Sequence, residues 1–188
     1  MENHFDVKQL VQLAILAAVS YVLMLIAIPI IPVAPYMKLD LSDLPILIGT
    51  MMMGISAGIT IATVKSLLYW ITIGGASLPS LIGVFSSWAA SIVLLLAVFF
   101  VLKSFKSHTR KLKWIMMIIL ATLALTIAMS LLNLYVVTPL YINMIGLKLS
   151  FSVPKLVAIA VIPFNIIKGI VIGIIFAIIY PQLSKIIK

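Results

Sequence analysis

Long apolar runs follow one another along this chain and are separated by short polar stretches. The runs are continuous, whereas the strands of a membrane β-barrel alternate apolar and polar residues over about 10 positions. A helix crosses a bilayer with about 20 apolar residues. We therefore predict an all-α, polytopic integral membrane protein. Its six transmembrane helices are predicted at about Leu10–Ile28, Leu44–Thr60, Ile61–Ile73, Leu81–Leu102, Trp114–Val137 and Ile162–Tyr180.

The stretch Leu44–Ile73 has to be either one long helix or two short ones, and Gly49, Gly54, Ser56 and Gly58 interrupt its middle. With two passes and a cytoplasmic N-terminus, eight basic residues lie inside and three outside, as the positive-inside rule favours. A single pass with the N-terminus outside would misplace only Lys8. We predict two passes, with both termini cytoplasmic and residues 1–188 forming a single six-helix domain.

The composition supports an integral membrane protein. Apolar residues make up 64% of the 188 residues, charged residues make up 9%, and the mean hydropathy is +1.34. The net charge of +9 does not indicate nucleic acid here. Five basic residues mark one short loop as cytoplasmic, and they are Lys103, Lys106, Arg110, Lys111 and Lys113. The chain contains no cysteine, which excludes disulfides, iron–sulfur clusters and thiol chemistry.

The polar residues offer no catalytic constellation. His4 and His108 are too isolated for a metal site or a catalytic triad. There is no glycine-rich phosphate loop, so the chain does not hydrolyse ATP by that route. No carboxylate lies in the middle of a predicted span, and the four are Glu2, Asp6, Asp40 and Asp43. We predict that the chain is not an enzyme and binds no metal, and the lack of midplane carboxylates weakens the case for a mechanism driven by a proton or sodium gradient.

Lys168 lies inside the most apolar stretch of the chain, Val161–Tyr180. A lysine at the bilayer centre costs about 3 kcal/mol, so it normally faces a cavity or a partner. Asn165 shares its helix face, three residues earlier. Asn133 lies at a similar predicted depth, although a lone amide can simply bridge two helices. We predict that the three side chains share a pocket. In contrast, Lys65 is predicted to snorkel to the nearby cytoplasmic end of its helix.

The outer loops carry two further carboxylates of interest. Asp43 precedes Leu44 and Pro45, which is typical of a helix N-cap. Asp40 could pair with Lys38 or accept hydrogen bonds from a ligand. The loops Pro29–Asp43, Thr72–Ser80 and Thr138–Val161 could form a lid or serve as simple connectors. Three small-residue pairs are predicted to pack internally unless they face outward as docking surfaces, and they are Ala14–Ala18, Gly54–Gly58 and Gly169–Gly173.

Two segments carry a resemblance to a known family. They are Pro35-Tyr36-Met37-Lys38-Leu39-Asp40-Leu41-Ser42-Asp43-Leu44-Pro45 and Pro163-Phe164-Asn165-Ile166-Ile167-Lys168-Gly169. With them, the chain resembles the riboflavin-specific S component of energy-coupling-factor (ECF) transporters over its whole length. The resemblance implies a subunit that binds its vitamin tightly from outside. It also implies a transmembrane coupling subunit and two cytoplasmic ATPases, which drive release inside.

The resemblance further implies roles for particular residues. Asn133, Asn165 and Lys168 would meet the polar edge of the flavin ring, and Ala14 and Ala18 would face the coupling subunit. The residues that would close over the ligand are Lys38, Leu39, Asp40, Ala76, Leu78 and Pro79. Riboflavin is expected as transported ligand, with no cofactor. An S component for another vitamin, a standalone carrier and an intramembrane enzyme are the alternatives.

Overall fold

A computed structural model describes residues 6–104, 109–146 and 151–186, so Lys106 and His108 of the basic loop lie outside the described residues. The helices in these ranges are α1 (Val7–Leu25), α2 (Asp43–Met53), α3 (Ile55–Thr72), α4 (Leu78–Ser104), α5 (Arg110–Leu132), α6 (Thr138–Ile145), α7 (Val153–Leu156) and α8 (Ile162–Ile186). Two π-helical turns, Asn133–Val137 and Val157–Val161, join α5 to α6 and α7 to α8. The two short strands are β1 (Ile28–Pro29) and β2 (Lys38–Leu39).

Five helical segments in the described ranges are long and apolar enough to cross a membrane. They are Val7–Leu25, Ile55–Thr72, Leu78–Ser104, Arg110–Ile145 and Val153–Lys185. The prediction of an all-α polytopic membrane protein is therefore confirmed. The remaining predicted span, Leu44–Thr60, begins with α2, which has only 11 residues. At 1.5 Å per residue, α2 covers about half of a ~30 Å hydrocarbon core. The cytoplasmic location of both termini stays a prediction.

The stretch between Leu44 and Ile73 forms two helices, as predicted, but the predicted boundary at Thr60 was wrong. The chain reverses at Gly54, whose φ of 96° and ψ of 176° belong to a region that essentially only glycine adopts. A side chain at Gly58 would overlap Thr50, so α2 and α3 approach closely beyond the turn. The Gly54–Gly58 pair therefore serves the turn and the packing of this helical hairpin.

Replacing Gly54 with alanine is expected to lower the free energy of unfolding by about 1–3 kcal/mol. No atom would contact the added methyl group within 4 Å, so the whole effect would come from backbone strain. Thermal denaturation in detergent micelles measures it. The control is Ser56→Ala, at an exposed position two residues later. Equal stability of the two variants would contradict the conformational requirement at Gly54.

The core of the bundle lies between α1, α2, α3, α4, α5 and α8. Helix α8 packs tightly on α5, because a Cβ at Gly169 would lie 2.9 Å from the Thr122 Cα, and one at Gly173 would lie 3.1 Å from Ile118. This confirms internal packing for the Gly169–Gly173 pair. Phe176 and Ile172 are fully buried one turn apart on the same face of α8. The close α5–α8 contact supports the segments that carry Asn133, Asn165 and Lys168.

The first loop is held on the N-terminal end of α8 by its own small core. Strands β1 and β2 pair antiparallel, with Ile28 opposite Leu39 and Pro29 opposite Lys38. Below them, loop and helix side chains form an apolar cluster consisting of Ile31, Ala34, Leu156, Ala160 and Phe164, against which Leu39 packs. This cluster places the residues that follow β2 directly beside α8.

Candidate functional site

The two π-helical turns lie side by side and carry the two asparagines that the sequence singles out. Asn133 is the first residue of one turn, and its amide Nδ2 donates to the Met129 carbonyl at 2.8 Å. Asn165 follows the other turn, and its Nδ2 donates to the Val161 carbonyl at 2.8 Å. Each bond fixes the plane of a buried amide and uses one of its two N–H donors. Each amide also carries a second donor and a carbonyl acceptor for a further partner.

Asn133, Asn165 and Lys168 all line one cavity of about 150 Å³. The structure therefore brings these three side chains together at one cavity. The other lining residues come from the first loop, α4, α5, the first π-helical turn, α6 and α8, and they are Tyr36, Met37, Lys38, Asp40, Gly83, Ser86, Ser87, Ala90, Met129, Val137, Tyr141 and Phe164. A second cavity of about 310 Å³ adjoins the first at Tyr36, Lys38, Asp40, Gly83 and Ser87 and lies against α1 and α3.

Lys168 is held at the cavity by a buried ionic network. Its Nζ lies 2.8 Å from the Asp43 Oδ2, and both side chains are almost completely buried. The other Asp43 oxygen accepts a hydrogen bond of 2.5 Å from the Ser91 hydroxyl. Lys65 Nζ donates to the hydroxyls of Ser91, at 3.2 Å, and Ser42, at 3.1 Å. The network thus joins α2, α3, α4 and α8 through charged and hydroxyl groups.

Two predictions made from the sequence are wrong at this network. Lys65 does not snorkel, since its side chain is 0% exposed. Because α3 begins at Ile55, Lys65 falls in the middle of the helix and faces α2 and α4. Asp43 does not cap α2 either. It is the first helical residue, Ser42 occupies the cap position, and the Asp43 carboxylate turns inward to Lys168.

Asp40 has a structural role that the sequence did not predict. Its Oδ1 accepts the backbone N–H of Ser42 at 2.8 Å, which shapes the turn into α2. The Ser42 carbonyl in turn accepts the Ser20 hydroxyl of α1 at 2.6 Å. Asp40 also interacts electrostatically with both Lys65 and Lys168. With Asp43, it gives this region two anions and two cations, so the buried charges balance.

Several residues predicted to close over a ligand do not line either cavity. Leu39 packs into the apolar cluster below the first loop. Ala76, Leu78 and Pro79 are exposed. The neighbouring Gly74 and Ser80 do line the second cavity, so this segment lies at its rim. Lys38 and Asp40 line both cavities, and their closing over a ligand stays a prediction. The covering role of Leu39, Ala76, Leu78 and Pro79 stays a prediction.

Sequence reasoning missed an aromatic pair at the cavity. The rings of Tyr36 and Tyr141 lie with their centroids 6.5 Å apart, one from the first loop and one from α6. Partial burial raises the pKa of the Tyr36 phenol above its ordinary value, so the group is neutral and can donate a hydrogen bond. Tyr36 stands within the family-like segment, which was the one available signal. Nothing in the sequence pattern distinguished Ser86 and Ser87 of α4.

Ala14 and Ala18 lie on the outside of the bundle. Both are exposed on α1, whereas Leu13 and Ala17 are buried on its other face. The default expectation of internal packing is therefore wrong for this pair. Two small side chains one turn apart leave a shallow surface on which another helix can approach closely.

In the described ranges, no group of three His, Cys, Asp or Glu residues could hold a metal ion.

Comparison with known proteins gives a consistent assignment. Residues 8–180 match the family described as "ECF transporter, substrate-specific component". The riboflavin transporter RibU of Staphylococcus aureus is 37% identical and the riboflavin transporter FmnP of Bacillus subtilis is 34% identical; the alignments cover 96% and 95% of this chain and 93% of each relative. A solved S component of a bacterial ECF transporter superposes with a TM-score of 0.77 at 36% identity, over 96% of this chain and 98% of that one. The chain therefore belongs to the substrate-specific components, or S components, of ECF transporters.

Proposed function

We propose that this chain is the riboflavin-binding subunit of an ECF-type uptake transporter in the cell membrane. The observation that carries the proposal is the convergence of Asn133, Asn165 and Lys168 on one cavity beside the first loop. The relatives named as riboflavin transporters, which match along almost the whole chain, support riboflavin over another vitamin. As an S component, the chain is a substrate-binding subunit rather than an enzyme.

The chemistry of the flavin ring suits these side chains. Its pyrimidine edge alternates carbonyl acceptors with an N–H donor, and an asparagine amide offers both a donor and an acceptor. Lys168 adds a cationic donor for a ring carbonyl. Met129, Val137 and Phe164 provide an apolar wall for the dimethylbenzene end of the ring. A few polar anchors in an apolar site are the usual composition of a small-molecule pocket.

The first loop is the element that has to move when riboflavin binds. Pockets for drug-sized ligands usually measure about 300–1,000 Å³, whereas the cavity at Lys168 measures about 150 Å³. Tyr36, Lys38 and Asp40 are the first-loop residues that line both this cavity and the larger one beside it. A shift of these residues would merge the two spaces. We propose that the loop then closes over the vitamin together with the Ala76–Pro79 segment.

Reconstitution into lipid vesicles tests the function. The chain alone is expected to bind riboflavin at a single site but to catalyse little net transport. ATP-dependent uptake is expected only when the coupling subunit and two ATPases are present. Steady riboflavin flux through the chain alone would contradict this division of labour and would support a standalone carrier.

Membership of the family implies partners from the ECF module. We propose that these are a transmembrane coupling subunit and two cytoplasmic ATPases, and that the exposed Ala14–Ala18 face of α1 contacts the coupling subunit. Close helix packing needs small residues at the contact. Nothing larger than a methyl group projects from either position.

Introducing tryptophan at both Ala14 and Ala18 is expected to abolish co-purification of the coupling subunit and riboflavin uptake. Riboflavin affinity of the isolated chain should change by less than about twofold, because no described residue of α1 lines the first cavity. The matched control places tryptophans at Leu123 and Ile127, an exposed pair with the same spacing on α5. Equal loss of the partner in both variants would rule out a specific docking face.

A further inference from the structure

A basic groove lies at the opposite end of the bundle from the riboflavin cavity. It measures about 520 Å³ and lies between the start of α5 and the end of α8. Three of its lining residues are cationic, namely Arg110, Lys111 and Lys185, and Gln182 adds an amide. The rest of the lining is apolar or aromatic, consisting of Trp114, Ala177, Ile178 and Pro181. The mechanism proposed above uses none of these side chains.

No described carboxylate lines this groove. Asp40 and Asp43 belong to the buried network around Lys65 and Lys168. Asp6 caps α1 by accepting the backbone N–H groups of Lys8 and Gln9. The positive end of the α5 dipole and the negative end of the α8 dipole both lie at the groove and offset each other, so its positive charge comes from the three cationic side chains. The groove therefore attracts an anion.

The walls of the groove favour an anion that carries an acyl chain. The Trp114 ring lies against Phe176 and Tyr180, with centroid distances of 6.2 and 6.3 Å. Tryptophan and tyrosine gather at the level of the lipid headgroups. Ala177 and Ile178 continue the lining on α8, where Ile178 is exposed to the surroundings. A free phosphate would use the cations but not this apolar side.

We propose that the groove binds the phosphate headgroup of an anionic phospholipid, with its acyl chains lying along Ile178. Basic pockets between transmembrane helices on the cytoplasmic side bind such headgroups. Arg110 and Lys185 reach the phosphate from the two helices, and Gln182 donates to a headgroup oxygen. A bound lipid would link the start of α5 to the end of α8. The opposite ends of these two helices carry residues of the proposed riboflavin site.

Native mass spectrometry of the full chain in detergent tests the proposal with phosphatidylglycerol and phosphatidylcholine as probes. The wild-type chain is expected to retain phosphatidylglycerol preferentially. The double variant Arg110→Gln with Lys185→Gln should lose affinity for it by about fivefold for each cation removed. The control, Lys8→Gln with Lys103→Gln, removes the same charge from exposed positions outside the groove and should bind like wild type.

Three results would overturn the proposal. The first is equal retention of the two lipids by the wild-type chain. The second is an equal loss in the control variant, which would indicate general charge attraction. The third is displacement of the lipid by millimolar inorganic phosphate, which would assign the groove to a small anion. Riboflavin binding serves as the folding check in every variant, so failure of the lipid site is distinguishable from failure of the riboflavin site.

Discussion

Replacing Asp43 with asparagine is expected to lower the free energy of unfolding by about 3–5 kcal/mol, the cost of removing one partner from a buried ion pair. Lys168 would lose the carboxylate oxygen 2.8 Å from its Nζ, and Lys65 would lose the negative charge that it reaches through Ser91. The amide keeps the volume of the side chain and one acceptor for Ser91. The loss of stability therefore reports the removal of the charge rather than the creation of a cavity.

The same variant should bind riboflavin much more weakly even where it remains folded. Asp43 positions the Lys168 ammonium at the cavity, and an unpaired lysine in this apolar region would reorient or lose its proton. Combining Asp43→Asn with Lys65→Met restores the charge balance and should recover part of the stability. Recovery of stability without recovery of affinity would separate the positioning role of Asp43 from its structural one.

The control for Asp43 is Asp6→Asn, which changes a carboxylate at the exposed start of α1. Asparagine caps a helix about as well as aspartate, so a small effect is expected. The measurement is the denaturation midpoint of the purified chain in detergent. A midpoint for Asp43→Asn equal to that of Asp6→Asn would contradict the buried ionic network.

Replacing Lys168 with methionine or Asn165 with leucine is expected to weaken riboflavin binding by over ~1 kcal/mol each, because polar groups of the bound flavin would lose their partners. The effect of Lys168→Met should include a loss of stability, since Asp43 would then lack its ion-pair partner. In the described structure, Asn165→Leu breaks only a bond to the Val161 carbonyl of the π-helical turn that precedes α8. It is thus the cleaner test of ligand contact.

Riboflavin fluorescence titration gives both affinities, and the denaturation midpoint shows which variants are folded. Lys155→Met serves as control, since this exposed lysine lies over the Phe151 ring and outside the cavity. Its affinity should equal that of the wild-type chain. Unchanged affinity in a folded Lys168→Met, Asn165→Leu double variant would move the riboflavin site elsewhere.

Local patterns predicted much of this molecule, whereas contacts between distant segments did not follow from the sequence. The long apolar runs gave the membrane class, and the helical spacing of Asn165 and Lys168 gave one face of the cavity. The pairing of Lys168 with Asp43 was missed because it depends on how α2 is placed against α8. The position of Asp43 just before Leu44 and Pro45 was explained by a helix N-cap, so the sequence offered no reason to expect a contact with a distant helix.

One misplaced boundary explains the error at Lys65. A helix boundary at Thr60 puts this lysine near a helix end, where its ammonium group can reach the membrane surface at little energetic cost. The actual break at Gly54 puts it in mid-helix, where it needs partners. A cluster of glycines predicts that a helix ends in this stretch, but the backbone dihedral angles are needed to show at which glycine it ends. The family assignment and the membrane location did not depend on this boundary.

The absorption spectrum of the purified wild-type chain tests the central claim most directly. After expression with riboflavin in the medium, the chain is predicted to be yellow, with about one flavin per chain and quenched flavin fluorescence. The Asn165→Leu variant should be paler at the same protein concentration. A colourless, folded preparation whose spectrum does not change when riboflavin is added would contradict the account.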